Sequence, residues 1–340
     1  MARWVLHVDL DQFVVAVEVL RRPELRGLPV VVGGDGDPTK RGVVSSASYE
    51  ARAFGVQSGV PLRTAAKRCP DAVFLPVDRE AYDDASADVM ATLREFDAVV
   101  EVLGWDEAFL GLESEDPEGV ARRIQQRVRE ATSLECTVGI GQNKLQAKLA
   151  TGFGKPAGVY RLTHATWYQV LGDRPTDALW GIGAKTARKL EELGIHTVKE
   201  LAAADPSVLA ARFGPTIGPW LVQVGRGQDP SPVIGDPWIA RSRGRETTFQ
   251  TNLADWAQVR QEIERLALQV ADDVAAEQRP AVRVVVKVRY APFITQTHGH
   301  PLQEPSGDPS AIQAAAVAAL DRFAERRPVR LLGVRAEFPR

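Results

Sequence analysis

The sequence predicts a multidomain α+β chain, and three observations carry that prediction. Over residues 1–165, short apolar runs that end in acidic residues alternate with helical stretches. Trp167–Gly227 carries helix signals broken by Gly-containing turns and shows no strand pattern. From Arg241 onward the periodicity switches again, to strand, helix, strand, strand, helix, strand.

Each element follows from its residues. Trp4-Val5-Leu6-His7-Val8 is a short apolar run ending at Asp9-Leu10-Asp11, the mark of a buried strand entering a turn. Pro29–Gly33 and Gly42–Ser46 form a candidate strand pair around the Gly/Asp/Pro-rich turn Gly33–Pro38. Ala98–Leu103 and Glu107–Leu112 are two further strands, with Gly104-Trp105-Asp106 between them. Pro117–Ala131 is helical, and its proline suits a first-turn position. Cys136–Ile140 is a strand and Asn143–Ala150 opens a helix. Three prolines and no periodicity mark Asp229 through Pro237 as a linker. Beyond it, Arg241–Phe249, Ala281–Tyr290, Phe293–His300 and Val329–Phe338 read as strands, and Asp255–Ala276 and Pro309–Glu325 as helices. That order is ferredoxin-like.

The 340 residues suffice for two to four domains, and 44% hydrophobic with 25% charged residues is an ordinary globular composition. No apolar run is long enough to span a membrane, and none resembles a leader after Met1-Ala2-Arg3-Trp4. A cytoplasmic protein, acting as a monomer, is the expectation. Cys69 and Cys136 are far apart, which argues against a zinc site or a disulfide framework. Residues 1–165 carry 20 Lys/Arg against 24 Asp/Glu, whereas 241–340 carry 15 against 12. An acidic front and a basic end suit a metal-carboxylate site joined to a phosphate-binding module.

Asp9 and Asp11 end one buried strand, while Asp106 and Glu107 sit in the turn of a second strand pair. If those strands are neighbours, three or four carboxylates converge, and they repel unless cations neutralise them. Such oxygen ligands suit Mg²⁺. Two ions about 3.5–4 Å apart would stabilise the attacking and leaving oxygens of a phosphoryl transfer. Asp11 is the weakest candidate of the four.

Several stretches together carry a resemblance. His7–Glu18, Ser48-Tyr49-Glu50-Ala51-Arg52-Ala53-Phe54-Gly55-Val56 and Trp105-Asp106-Glu107-Ala108 lie in the first half. Gly139–Ala150 with Lys155-Pro156-Ala157-Gly158 follows, then Gly181-Ile182-Gly183 with Thr186–Leu190 and Leu193-Gly194-Ile195. Arg243–Phe249 and Arg330-Leu331-Leu332-Gly333-Val334 close the series. In this order the motifs resemble those of the Y-family DNA polymerases, the DinB or polymerase IV group in particular.

The resemblance implies a right-hand-like polymerase with four parts and a linker. These are a ferredoxin-like palm (residues 1–17 and 77–165), small fingers (18–76), a helical thumb with a helix-hairpin-helix (166–230), a linker (231–240) and a ferredoxin-like little finger (241–340). It implies that Asp9, Asp106 and Glu107, with the main-chain carbonyl of Leu10, bind two Mg²⁺ ions, for which Mn²⁺ could substitute. The nucleotide triphosphate would lie across Ser46, Tyr49, Arg52 and Lys155, whose charges and donors suit phosphoryl oxygens. The family usually has Phe or Tyr where this chain has Val14, and that ring excludes a sugar 2′-hydroxyl. Valine there implies that ribonucleoside triphosphates are accepted beside deoxynucleotides, unless Phe13 or another side chain takes over the role. Gly104 stands where serine is usual. No sliding-clamp peptide is seen at Glu337-Phe338-Pro339-Arg340, so the chain is either trimmed or of low processivity.

For primer-template DNA, the Gly181-Ile182-Gly183 turn offers backbone amides to a phosphate, with Lys185, Arg188 and Lys189 nearby. Arg283, Lys287 and Arg289 share one face of their strand by alternation, and Arg241, Arg243 and Arg245 repeat the pattern on another. Two other classes remain open: a DNA-binding accessory protein without catalysis, and a nucleotide cyclase on a similar carboxylate-bearing fold.

Overall fold

A computed structural model describes residues 2–339. The chain forms two compact units, one of Met1–Asp37, Val43–Val60 and Thr64–Pro237, the other of Pro38–Gly42, Pro61–Arg63 and Trp238–Arg340.

The first unit opens with β1 (Ala2–Leu10) and α1 (Phe13–Arg21). Strands β2 (Val30–Val32) and β3 (Ser46–Ala47) follow, then α2 (Tyr49–Arg52), α3 (Leu62–Arg68) and β4 (Val73–Leu75). Next come α4 (Arg79–Leu93), the hairpin of β5 (Val99–Val102) and β6 (Glu107–Ser114), and α5 (Pro117–Thr132). The strand β7 (Cys136–Gly141), α6 (Lys144–Gly154) and β8 (Val159–Arg161) complete a five-stranded sheet of order β5-β6-β1-β7-β8. β1 is thus central, with antiparallel neighbours on both sides. Leu6, Val8, Leu10, Leu110, Val138 and Ile140 fill a core on one face with α1, α4 and α5. Local signals set the helix ends: Asp116 caps α5 ahead of Pro117, and Asn143 caps α6 by accepting from the Gln146 amide.

A smaller sheet, β3-β2-β4, holds the expected strand pair. Its second strand lies at Ser46–Ala47, later than Gly42–Ser46, because Val44 instead bonds across to Val60 and Gly59. Residues 167–225 form five helices with a core of their own around Trp167, Leu190, Leu201 and Leu221. These are α7 (Trp167–Leu171), α8 (Ala184–Glu191), α9 (Val198–Ala203), α10 (Pro206–Phe213) and α11 (Ile217–Gly225). The proline-rich stretch beyond has no helix or strand, but its first part is not loose. The Ile234 amide donates to Glu101 at 2.7 Å, and Val233 packs over Gly111.

The second unit runs β9 (Ser242–Leu253), α12 (Trp256–Glu277), β10 (Ala281–Tyr290), β11 (Ile294–Ser306), α13 (Pro309–Leu320) and β12 (Val329–Glu337). The element order is that read from the sequence. The sheet order is β11-β10-β12-β9, every pair antiparallel. Val284, Val286, Val288 and Tyr290 face the two helices, so the alternation of β10 marks its buried face. No helix among the described residues is long and apolar enough to cross a membrane.

Candidate active site

Strand register gathers the acids. Asp9 on β1 lies directly opposite Glu107 on β6 and Thr137 on β7, so all three side chains share the sheet face away from the main core. Leu10, one residue on, turns its side chain into that core and is 2% exposed. Its amide donates to the Asp106 carbonyl at 2.8 Å, which pins the hairpin turn to the end of β1. Two stretches nearly 100 residues apart thus bring Asp9, Leu10, Asp106 and Glu107 to one sheet end. Gly104 is not demanded by crowding: a Cβ there would meet Asp106 Oδ1 at 3.7 Å, an ordinary contact.

The acids differ in their counter-charges. The Lys155 ammonium pairs with Asp9 and the Lys148 ammonium with Glu107. His7 Nε2 lies 3.3 Å from Glu107 Oε2, and Nδ1 lies 2.8 Å from the Thr151 hydroxyl. Burial holds His7 below its ordinary pKa, so the ring is neutral near pH 7. Hydrogen bonds from His7 and then from Lys148 pull Glu107 down to about 2. Asp106 is pushed the other way, first by burial and then by the charges of Asp9 and Glu107. An acid held above its normal range beside two ionised neighbours is a place short of positive charge, and oxygen donors so arranged fit divalent cations. Among the described residues, ligand atoms of His7, Asp9 and Glu107 lie within 4.8 Å of one another, while Asp106 stands outside that triplet.

Asp11 plays another part. It is 5% exposed and accepts from three donors, one of them shared between its two oxygens. Thr137 Oγ1 donates at 3.0 and 3.1 Å, the Tyr49 hydroxyl at 2.9 Å and the Ala157 amide at 2.7 Å. It therefore ties β7, α2 and the turn after Lys155 together rather than facing the acids. An amide cannot accept from donors on both of its arms, so Asp11→Asn should cost roughly 2 kcal/mol. That is a fall of roughly 5 °C in the melting temperature of the first unit. Tyr49→Phe in the Asp11→Asn background should then cost less than it does alone. Additive losses in thermal melting would mean the two groups do not work as a pair.

The remaining candidates divide. The Tyr49 hydroxyl donates a hydrogen bond to Asp11, and burial keeps the phenol un-ionised. Arg52 stacks on the Tyr49 ring at 4.9 Å and donates through Nε to the Ala47 carbonyl. Ser46 is buried on β3. Phe13 is a correction: it is 3% exposed inside the main core, because one helical step separates it from the open side of α1. Val14, partly exposed, is the residue of that pair left accessible.

Gly181 adopts φ +91°, and a Cβ there would sit 3.0 Å from Trp220, so the turn requires glycine. Gly183 begins α8 with no side-chain cap, and Lys185 is exposed beside it. In the second unit the two basic rows do not share a face. Arg243 and Arg245 reach Glu277 and Asp273 of α12 on the helix-covered side. Arg283, Lys287 and Arg289 line the open side, with Glu337 near Arg283 and Glu246 on Lys287. Arg241 precedes β9 and is exposed.

Sequence reasoning missed His7, Lys148, Thr137 and the role of Asp11. Only His7 carried a usable signal, two residues before Asp9 on the same strand face.

Comparisons with known proteins bear on the family of the chain. The family model described as "impB/mucB/samB family" matches residues 8–152, and its C-terminal domain model matches 240–338. A model described as "DNA polymerase-iota, thumb domain" matches 177–229. The chain is 50% identical over 340 residues to a protein named DNA polymerase IV 2 from Mycobacterium tuberculosis, covering 99% of this chain and 98% of the relative. It is 39% identical to DNA polymerase IV of Methanoculleus marisnigri, covering 98% and 94%. Among solved structures it is similar to a Y-family DNA polymerase chimera, Dbh-Dpo4(243-245)-Dbh, with TM-score 0.87 and 26% identity over 98% of both chains. It is similar also to an insertion ternary complex of Dbh DNA polymerase, with TM-score 0.69 and 27% identity over 98% of both.

Proposed function

The chain belongs to the impB/mucB/samB family, that of the Y-family DNA polymerases of DinB type, and from that premise we propose how its residues divide the work of a lesion-bypass enzyme. It is a DNA-directed DNA polymerase with the palm, fingers, thumb and little-finger architecture. The palm comprises 1–17 and 77–165, the fingers 18–76, the thumb 166–230 and the little finger 241–340, with 231–240 as linker. Primer-template DNA and deoxynucleoside triphosphates are the substrates. The primer 3′-hydroxyl attacks the α-phosphate and pyrophosphate leaves.

Asp9, Asp106 and Glu107, with the Leu10 carbonyl, would hold two divalent cations, Mg²⁺ with Mn²⁺ as substitute. When bound, these supply the charge that stabilises the attacking and leaving oxygens. Lys155 leaves Asp9 for the triphosphate, where Arg52 adds a guanidinium and Ser46 and Tyr49 line the path. Tyr49 stays fixed by Asp11 and presents its ring edge and oxygen rather than its proton. Val14 leaves space beside the sugar, so ribonucleotides also enter. The amides at Gly181–Gly183 take a backbone phosphate, aided by Lys185. Arg283, Lys287 and Arg289 on the open sheet face follow the duplex.

The observation that carries this reading is the register of Asp9 against Glu107, with Asp106 beside them and a lysine on each of two acids. Primer extension with each of the eight nucleotides singly, in Mg²⁺ and in Mn²⁺, tests it. Addition directed by the template base and abolished by chelator is expected. Cyclic nucleotide formed without DNA, or no addition at all, would overturn it.

A further inference from the structure

Resting on the metal-site reading above, we propose that Lys148 is a resident counter-ion that competes with a divalent cation for Glu107, and so sets the cation concentration at which the site fills. Two glycines make this possible. A Cβ on Gly139 would lie 2.1 Å from the Ala147 carbonyl, and one on Gly141 would lie 2.5 Å from the Ala147 amide. With neither present, α6 settles directly on β7, and the Thr151 hydroxyl meets the buried His7 ring at 2.8 Å. That seating fixes the height of the helix, and Lys148 then reaches across the ring to Glu107. Its ammonium lies 3.3 Å from His7 Nε2, the same separation that His7 keeps from Glu107.

The pair is shielded: the Lys148 side chain is 20% exposed and Glu107 is 26% exposed. A charge pair in such a setting is stronger than one on the open surface. Lys155, the other lysine at the acids, has a triphosphate to move to. Lys148 sits between the His7 ring and Glu107, so an entering cation competes with it for that carboxylate. The carboxylates alone would therefore bind a divalent cation more tightly than the intact protein does.

The test is Mn²⁺ binding to the full chain without DNA or nucleotide, followed by the electron paramagnetic resonance signal of the free aquo ion. Lys148→Met keeps the aliphatic stem and removes the charge. Its half-saturating Mn²⁺ concentration should fall roughly tenfold, whereas Lys148→Arg should bind no more tightly than the original. A lysine needed only for packing would weaken binding on removal, so the sign of the change discriminates. Unchanged or weaker binding by folded Lys148→Met overturns the proposal. Should that variant fail to fold by circular dichroism, Lys148→Gln is read the same way. Undiminished binding to an Asp9→Asn, Asp106→Asn double variant would instead overturn the metal-site reading itself.

Discussion

Asp106→Asn should slow nucleotide addition by roughly 10³-fold, since a metal-bound carboxylate lost from the reacting centre removes several kcal/mol of transition-state stabilisation. The same change should leave the metal-free protein slightly more stable at neutral pH. Burial and the charges of Asp9 and Glu107 hold the folded-state pKa of Asp106 above its ordinary 3.8, so its ionised form opposes folding. Above the folded-state value the penalty is complete. As pH falls through that value it shrinks, and below 3.8 both states are protonated and the difference from asparagine disappears. A melting temperature raised by roughly 1–3 °C at pH 7, and unchanged near pH 3, is the expected pattern. A variant that loses rate and stability together would point to a structural role. One that keeps its rate would remove Asp106 from the chemistry.

The second large effect concerns the sugar. Val14→Phe should raise discrimination against ribonucleotides by roughly 30- to 100-fold, the penalty of forcing a hydroxyl against an aromatic ring with no room to yield. Deoxynucleotide addition should change little. Phe13 does not offer that barrier, because its ring is buried in the main core one helical step away from Val14. Single-nucleotide insertion kinetics for each ribonucleotide and deoxynucleotide pair measure the effect. Equal sugar preference in the two proteins would mean that another side chain guards the 2′ position.

Much of the fold was legible because period-2 and period-3.6 patterns are local. Ala281–Tyr290 was read to the residue, and Pro117, Asn143 and Asp255 mark helix starts through backbone chemistry that needs no distant partner. What stayed hidden required register. Alternation shows that Arg243 and Arg245 share a face, but not which face. Only the pairing of Arg245 with Val334, and of Val334 with Val286, places them on the helix side. The two acid stretches were legible as strand ends. The lysines upon them were not, because Lys148 reaches Glu107 only once α6 has found its seat on β7. Asp11 looked like a weak ligand because its partners lie 38, 126 and 146 residues away.

Those separations bear on how the protein is made. Both neighbours of β1 begin about a hundred residues or more downstream, at Glu107 and Cys136, and the last donor to Asp11 is Ala157. While the ribosome is still delivering the first hundred residues, the opening strand has no sheet to join and its apolar side chains stay uncovered. Assembly of this half must wait for the chain to emerge past Ala157 and then proceed in one late, long-range step. Codon changes that slow elongation just before that point would lengthen the vulnerable interval more than the same pauses placed after it.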